Sequence, residues 1–486
     1  MALARPQSTL SDTSPPDSRP AVDPPLSATT TRLVRRLHFY AGVFVAPFLL
    51  IAAISGGLYA LAPQAEKIIY RAQLHTDSTG PQHSLAEQIQ AAARTHPDLA
   101  VSAVRPPASA GDTTQVLFTD PSLPESTRLA VFVDPVTLHV QGELPTFGSS
   151  GSLPVGTWID GLHRNLHLGA TGRLYSELAA SWLWVIALAG LVLWALDRRK
   201  KRPRRNLRER VKRRHGLTGV TVLLVLLFLS ATGLTWSQYA GKNVSDLRTA
   251  LHWTQPSVDT SLGGAPAPTD PHAAHGSDQS MPGMDMSDDA APAADPADVD
   301  TALALARSAG VGVDDAVEIG IPSTPDTAFT VSERRVPWQV SPNTAAVDPV
   351  HDRVVSVNYF ADWPLAAKLA NWGIAAHMGL LFGLVNQLVL FAVAVALCAM
   401  IVSGYRMWWL RRRRGAPRPG RAPTRGSLRR LPWPAIVGLI IATVAIGWFV
   451  PLFGLSLLAF FAVDLLLSGW ARLRRRTAAQ AEKAAA

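Results

Sequence analysis

The sequence contains a single cysteine, Cys398, which lies within a long apolar run. One thiol cannot close a disulfide within the chain. It also cannot supply the several thiolates that structural zinc sites and iron–sulfur clusters require. The composition therefore excludes a disulfide framework and any Cys-based metal or dithiol chemistry within one chain.

Signatures of soluble enzymes are also missing. The two long polar segments, 62–177 and 237–378, contain no nucleophile elbow, no Ser/His/Asp order and no phosphate-binding glycine loop. The basic segments contain no Gly-x-Gly-x-x-Gly sequence, which is the fingerprint of nicotinamide and flavin sites. If the chain carries electrons, we expect the donor to be another protein or a membrane quinol.

Long apolar runs are abundant, and 48% of the residues are hydrophobic. About 20 apolar residues span a bilayer, and six runs approach or exceed that length: near 39–61, 178–196, 217–236, 379–409, 433–449 and 452–470. The last two meet at Val450-Pro451, which predicts a tight hairpin. The fold class predicted is a membrane α-helical bundle with six transmembrane helices and the lipid bilayer as its surroundings.

Basic residues predict how the chain crosses the membrane, because cytoplasmic loops hold the excess of lysine and arginine. The formal net charge is +10, and basic clusters precede the first run, fill 198–214 and 411–430, and follow the sixth run. All four clusters fall on one side, so both termini are predicted to be cytoplasmic. Orientation and contact with anionic lipid explain these clusters better than nucleic-acid binding does, and we expect no nucleic-acid partner.

The predicted organisation is a duplicated helix-domain-helix unit followed by a hairpin. In order, we predict a disordered tail at 1–30, helices at 31–61 and 178–197 around an outer domain at 62–177, a basic loop at 198–214, helices at 215–236 and 379–410 around an outer domain at 237–378, a basic loop at 411–431, the hairpin at 432–470 and a tail at 471–486. No signal peptide is evident, so the first helix is expected to remain as an anchor.

Each outer segment is predicted to be a small α+β domain. Amphipathic helices are expected at Leu85–Ala93 and Val299–Arg307. β-Prone runs follow at 100–104, 114–118, 130–133 and 138–141, and again at 316–321, 328–331, 344–347 and 353–357. Asp134-Pro135 and Asp348-Pro349 predict the hairpin turns between the last two strands of each set.

An internal repeat relates the two halves, and repeats must be identified before other patterns are interpreted. A shift of 214 positions places Trp372, His377, Gly383 and Gly404 on Trp158, His163, Gly169 and Gly190. A shift of 177 positions places His215, Gly219 and Thr232-Gly233 on His38, Gly42 and Ser55-Gly56. The chain is therefore a duplication, and each half contributes two histidines at corresponding places.

Four of the thirteen histidines recur in this register: His38, His163, His215 and His377. An ionisable residue at a membrane boundary is a functional candidate, although a single one can equally be a polar interfacial residue. The topology predicts His38 and His215 at the cytoplasmic face and His163 and His377 at the outer face. Paired neutral imidazoles from facing helices are an axial ligand set for haem iron, so two pairs predict two haems.

Zinc is the main rival cofactor, but it prefers four ligands and each level offers two histidines without carboxylates at fixed spacing. His167 is an alternative ligand, because it would share a face with His163 in a continuous helix. The repeat aligns Leu381 with His167, which favours His163. Gly42 and Gly219 would leave room for a porphyrin. Four basic residues could pair with propionates: Arg35, Arg36, Arg213 and Arg214. The predicted topology already explains their positions.

The distance from His163 to Arg198 raises a geometric problem. Thirty-five residues of continuous helix run about 52 Å, whereas the hydrocarbon core is about 30 Å thick. The helix must tilt, extend outside the bilayer or break, and Gly169 and Gly172 are the candidate break points.

The second outer segment contains an insertion at 265–292 that is rich in histidine and methionine. Its candidate metal ligands are His272, His275, Met281, Met284 and Met286. Imidazole and thioether groups suit copper, especially Cu(I). The alternative, which we favour, is a solvated linker that happens to contain these residues.

The ordered motifs resemble a known family. They are Arg-Arg-Leu-His38-Phe-Tyr-Ala-Gly42, Leu-His163-Arg-Asn-Leu-His-Leu-Gly169, Arg-His215-Gly-Leu-Thr-Gly219, His377-Met-Gly and Gly404-Tyr-Arg-Met-Trp408. Over most of 32–470 they resemble the PepSY-associated transmembrane helix family of bacterial inner-membrane proteins, whose iron-regulated members include siderophore-iron reductases. The resemblance implies PepSY-like outer domains and a di-haem (haem b) carrier whose ligands fall on the four repeat histidines. His167 and the insertion depart from the family pattern, and the insertion leaves the reduced metal open.

Three functions follow as hypotheses. The first is a transmembrane metalloreductase that takes electrons from a cytoplasmic or quinol donor and reduces extracytoplasmic ferric iron or a ferric siderophore. The second is a copper-handling membrane protein that uses the His/Met-rich insertion. The third is a non-catalytic envelope protein whose PepSY-like domains bind or regulate partners and whose helices serve as anchors.

Overall fold

A computed structural model describes residues 26–198, 207–263, 294–313, 316–411 and 432–485. Over these ranges the chain forms a bundle of mostly apolar helices joined to one eight-stranded antiparallel sheet. The candidate copper ligands in the insertion at 265–292, residues 1–25 of the predicted tail and most of the two basic loops lie outside the described residues.

The helices are α1 Leu26–Phe44, α2 Ala46–Ile69, α3 Arg71–Leu74, α4 Leu85–Ala93, α5 Pro154–Asn165, α6 Gly169–Arg198, α7 Leu207–Thr221, α8 Leu223–Thr235, α9 Ala240–Ala250, α10 Val299–Ser308, α11 Leu365–His377, α12 Gly383–Trp409, α13 Trp433–Phe449 and α14 Pro451–Ala485. The strands are β1 Ala100–Arg105, β2 Thr114–Thr119, β3 Thr127–Val133, β4 Val140–Phe147, β5 Val317–Gly320, β6 Phe329–Glu333, β7 Thr344–Asp348 and β8 Arg353–Asn358.

Three helices in the described ranges, α2, α6 and α12, are long and apolar enough to cross a membrane. Together α7 and α8 make a fourth such segment, bent by 60° between them. The apolar stretches at 433–449 and 451–467 are shorter. Length and hydropathy thus support three or four spans in the described part, and the six-span arrangement stays a prediction. The predicted basic loop at 198–214 is shorter than expected, because α7 already begins at Leu207.

Helix breaks occur at positions that the repeat relates. Val45 separates α1 from α2, and Val222, 177 positions later, separates α7 from α8. Of the three alternatives left open for the helix after His163, the structure shows a break, because α5 ends at Asn165 and α6 begins at Gly169 with φ +59°. The corresponding Gly383 begins α12 with φ +54°. Glycine adopts positive φ without the steric cost that a Cβ atom brings, so both halves break at the same register.

The two outer segments share one sheet, in the order β4-β3-β2-β1-β5-β6-β7-β8. The sequence predicted two separate small domains. The structure contains both sets of strands, but β1 pairs antiparallel with β5 through Ala103 with Gly320 and Val104 with Ile319. In separate domains these strands would be edges with unpaired N–H and C=O groups. Pairing them with each other removes both edges.

Both predicted hairpin turns are confirmed, since β3 pairs with β4 and β7 with β8. The Asp134 carboxylate accepts a hydrogen bond from the backbone of Val136 at 2.9 Å, and that of Asp348 accepts one from Arg353 at 3.0 Å. Strand β4 starts at Val140 rather than at the predicted Leu138. Leu138 has φ +59°, a left-handed conformation that a strand cannot contain.

The two faces of the sheet pack differently. One face carries Val104, Phe118 and Ile319 and packs against α4 and α10. The opposite face carries Ala103, Leu117, Ala130 and Phe132, and it packs against Leu153, Tyr70 and Leu74 at the ends of the bundle helices. We call this second side the bundle face of the sheet.

Candidate functional site

His38 in α1 and His215 in α7 lie next to each other, and we call them the distal histidines because the sheet is attached at the other end of the bundle. Their ring centroids are 6.2 Å apart and their planes are inclined by 80°. The two residues come from different halves of the chain. The duplicated sequence therefore builds one shared position from its two copies.

A backbone carbonyl orients each distal ring. Nδ1 of His38 donates to the carbonyl oxygen of Ile186 at 2.9 Å, and Nδ1 of His215 lies 3.1 Å from that of Met400 and 3.0 Å from Oγ of Ser403. Ile186 and Met400 are related by the shift of 214 positions. A carbonyl only accepts hydrogen bonds, so each neutral ring carries its proton on Nδ1 and leaves the Nε2 lone pair available to a metal.

A glycine lies beside each distal ring. A Cβ atom added to Gly190 would come within 3.0 Å of Cε1 of His38, and one added to Gly404 within 3.9 Å of Cε1 of His215. These glycines also correspond under the shift of 214 positions. The helix that supplies the carbonyl therefore also supplies a flat surface for the ring.

His163 in α5 and His377 in α11 are held at the end of the bundle near the sheet, and we call them the sheet-side histidines. Nδ1 of His163 is 3.0 Å from Oγ of Ser55, and Nδ1 of His377 is 2.6 Å from Oγ1 of Thr232. Each hydroxyl donates its own proton to a helix carbonyl, that of Ile51 or Phe228, at 2.8 Å. With each hydroxyl proton on its carbonyl, the hydroxyl oxygen accepts from Nδ1, and the ring in this tautomer leaves Nε2 unprotonated.

Small and aromatic residues surround the sheet-side rings in the same register. A Cβ atom on Gly56 would lie 3.0 Å from Cε1 of His163, and one on Gly233 would lie 4.0 Å from Cε1 of His377. The ring of Tyr59 stacks on His163 with a centroid distance of 6.4 Å. Its repeat equivalent, Trp236, meets His377 edge-on at 5.2 Å.

All four rings lie deep in the bundle, yet each keeps part of its surface accessible. No hydrogen bond within the described part of the chain reaches their Nε2 atoms. The Nε2 atoms are therefore the ring nitrogens that remain available to a ligand.

The residues fit a haem better than a zinc ion. The distal rings, with centroids 6.2 Å apart, would be near enough for both imidazoles to bind one group. The described residues contain no group of three or more His, Cys, Asp or Glu side chains that could hold a metal ion. Two axial imidazoles suffice for haem iron, whereas zinc prefers four protein ligands or three with water.

His167 does not join His163. The chain leaves the helical conformation at Leu166, and His167 itself has φ +56°. Its exposed ring lies 5.2 Å from that of Trp158. The condition for the two histidines to share a face, a continuous helix, is not met.

Porphyrin-sized space and propionate partners were expected around the distal pair. A Cβ atom on Gly42 would meet nothing within 4 Å, while one on Gly219 would lie 3.1 Å from the thioether methyl of Met400. Arg36 is buried with its guanidinium 5.6 Å from the ring of Tyr40. The other candidate arginines, Arg35, Arg213 and Arg214, are exposed.

Sequence reasoning missed the groups that orient the rings. The repeat marked Ser55 and Thr232 as corresponding residues, and Gly190 and Gly404 as well, without indicating a role for them. The carbonyls that hold the distal rings belong to apolar residues, Ile186 and Met400. A backbone group leaves no side-chain signature in the sequence, so only the structure identifies it.

The family model described as the PepSY-associated TM region matches residues 35–411. The match begins in α1, ends after α12 and includes all four repeat histidines, which confirms the resemblance noted from the motifs. The helices α13 and α14 lie outside it. No curated protein matches the chain.

Proposed function

Since the chain belongs to the family of proteins with a PepSY-associated transmembrane region, we propose that it is a membrane electron carrier. It holds two b-type haems and reduces ferric iron, free or bound to a siderophore, outside the cytoplasmic membrane. The observation that carries the proposal is that four histidines make corresponding hydrogen bonds in the two halves of the chain. In each one Nδ1 is engaged and Nε2 is left available.

The four histidines are the residues that would hold the haems. The distal pair binds one and the sheet-side pair the other, and bound haem supplies one-electron redox chemistry. The Ile186 and Met400 carbonyls and the Ser55 and Thr232 hydroxyls fix the tautomer and the ring orientation. Such outer-shell hydrogen bonds raise the basicity of a ligating imidazole.

The proposed orientation places the sheet outside and the distal histidines on the cytoplasmic side. The basic residues that precede α2, begin α7 and follow α12 support it, because cytoplasmic segments hold the positive excess. The apolar stretches at 433–449 and 451–467, in α13 and α14, complete six spans as a hairpin around Val450. On this arrangement the donor, a cytoplasmic protein or a quinol, delivers electrons at the distal end.

The proposed reaction adds one electron to each ferric ion and yields ferrous iron. Ferric iron is the harder ion, and hard oxygen ligands such as those of siderophores hold it more tightly than ferrous iron. Reduction therefore releases the metal from its chelate for uptake.

Two alternatives remain distinct from this proposal. A copper-handling role depends on His272, His275, Met281, Met284 and Met286, which lie outside the described residues. A purely binding or regulatory role for PepSY-like domains treats the helices as anchors. Four internal histidines with matched hydrogen bonds are not needed by an anchor, and this favours the electron carrier.

Sealed vesicles test the proposed activity. Purified protein is reconstituted into vesicles that contain dithionite, and ferric chelate with a ferrous-specific chromophore is added outside. We expect external ferrous iron to appear at a rate that falls at least tenfold in His215→Ala and in His377→Ala but not in His167→Ala. Equal rates in all four proteins and in protein-free vesicles would overturn the proposal.

A further inference from the structure

Three arginine side chains lie on the bundle face of the sheet, where the strands of the two halves meet. Arg105 ends β1, Arg128 lies in β3 and Arg334 follows β6, and all three act on the single carboxylate of Glu318 in β5. Arg105 Nε donates to Glu318 Oε2 at 2.5 Å, and Arg128 Nη2 lies 2.9 Å from Oε1. We call these four residues the seam cluster.

The seam cluster has more cations than anions. Three guanidinium groups face one carboxylate, so its formal charge is positive by two. Side chains of Arg105 and Glu318 are 1% and 6% exposed, and water therefore screens this charge poorly. Burial, together with the charges of Arg105 and Arg128, lowers the pKa of Arg334 to about 9. Buried charge of one sign is costly unless a counterion compensates it.

Several donors of the cluster and its neighbours are buried without an acceptor. Among the described residues, Nη2 of Arg105 and Nε of Arg334 have no hydrogen-bond partner, and neither do the hydroxyls of Thr146 and Ser332. Thr146 is the cross-strand neighbour of Arg128, and Ser332 that of Glu318. All these groups can donate, and buried polar groups in folded proteins are nearly always paired.

Two contacts connect the region of the cluster to the segments next to α5 and α11. A Cβ atom on Gly151, in the connection from β4 to α5, would come within 2.3 Å of Arg105 Nη1. Arg335, next to Arg334, donates from Nε to Asn371 of α11 at 3.0 Å. Helices α5 and α11 carry His163 and His377, so the cluster adjoins the elements that hold this histidine pair.

We propose that the seam cluster is an anion site that takes a carboxylate group. A carboxylate accepts from guanidinium N–H groups in parallel pairs, and it would satisfy both arginine donors while reducing the excess charge. The hydroxyls of Thr146 and Ser332 extend the same row of donors along the sheet. The carboxylate can come from a metal chelate in solution or from a propionate of the proposed sheet-side haem.

Citrate is the probe for the first source. Isothermal titration of purified full-length protein is expected to show citrate binding that weakens about tenfold or more in Arg334→Gln, since hydrogen bonds to charged groups are strong. Ser332→Ala, which removes only a hydroxyl, is expected to weaken it less. Arg353→Gln removes an arginine bound to Asp348 on the exposed side of β8 and serves as the matched control, with binding unchanged.

Haem dimethyl ester, which lacks free carboxylates, is the probe for the second source. If a propionate fills the site, haem binds more tightly than its ester to the wild type, and Arg334→Gln abolishes the difference. This arm alone rests on the proposed haem. The site proposal is overturned if citrate does not bind and the ester binds as haem does, or if Arg334→Gln and Ser332→Ala leave every affinity unchanged. If the protein binds citrate but no haem, the proposed electron-carrier function is contradicted and the anion site is still supported.

Discussion

Oγ1 of Thr232 accepts a hydrogen bond from Nδ1 of His377 at 2.6 Å. The same hydroxyl gives its proton to the carbonyl of Phe228, so it has only acceptor capacity left for the ring. Ser55 holds His163 in the same way, 177 positions earlier. A hydroxyl thus fixes the tautomer of each sheet-side histidine from a neighbouring helix.

Replacing Thr232 with valine tests this contact, because valine keeps the shape and removes the acceptor. Loss of an outer-shell partner typically costs about 10–100-fold in metal affinity, and we expect a loss of that size for one of the two haems in a haem titration. Thr235→Val is the control, since Thr235 hydrogen bonds only to the backbone carbonyl of Thr232. Equal affinities in the two variants would contradict the role given to Thr232.

The glycines beside the distal rings give a second prediction. An added Cβ would be 3.0 Å from His38 at Gly190 but 3.9 Å from His215 at Gly404. The first distance is tighter than an ordinary contact, so the ring must give way slightly, whereas the second is an ordinary contact. We expect Gly190→Ala to change the spectrum and midpoint potential of the distal haem and Gly404→Ala to change neither. If redox titration instead shows a change for Gly404→Ala and none for Gly190→Ala, the ring packing described here is wrong.

We expect the carboxyl of Glu318 to make the stability of the sheet fall in acid. Burial alone would raise the pKa of this carboxyl, but the charges of Arg105, Arg128 and Arg334 outweigh it and lower the pKa from 4.5 to about 2. A carboxyl whose pKa is lower in the folded state stabilises the fold above its unfolded pKa. This contribution is lost as the pH falls from about 4.5 through 2.

Thermal unfolding of full-length protein between pH 6 and 2 measures this contribution. Glu318→Gln is expected to lose about 3–5 kcal/mol at pH 6, because it leaves buried guanidinium groups without a counterion. It should also lose the part of the acid dependence that belongs to Glu318. An unchanged pH profile in the variant would mean that the carboxylate does not hold the seam together. Other carboxyls remain in both proteins, so the difference isolates this group.

We expect substitution of either glycine at the helix breaks to destabilise the protein. Gly169 and Gly383 both have positive φ, which costs a residue with a Cβ atom about 1–2 kcal/mol. We expect each alanine variant to unfold more readily by that amount. Gly438→Ala in α13, where an added Cβ meets nothing within 4 Å, should be neutral or slightly stabilising. If the three alanine variants have equal midpoints of thermal unfolding, the positive φ at the helix breaks does not cost stability.

The sequence predicted the duplication, the helices α4 and α10 and the order of the eight strands, because these follow from local patterns or from the repeat. It offered a break near Gly169 only as one of three ways to fit the helix after His163. It did not predict the pairing of β1 with β5. Those strands are more than 200 residues apart, and nothing local marks which edges will join. The late start of β4 depends on the backbone conformation of Leu138, which hydrophobic alternation does not encode.

The site was predictable to a similar degree. The repeat identified the four histidines and grouped them into two levels. The seam cluster was not foreseen, since Arg105 and Glu318 come together only through the pairing of distant strands. Charge patterns along a chain do not reveal such a contact when each residue sits in an otherwise ordinary strand.

The haem content of purified protein, expressed with haem supplied, tests the central claim most directly. A pyridine haemochrome assay is expected to give two b-type haems per chain, one in His215→Ala and one in His377→Ala, and two in His167→Ala, with a dithionite-reducible Soret band in each case. No haem in the wild type, or two haems in all four proteins, would contradict the assignment of the two histidine pairs as haem ligands.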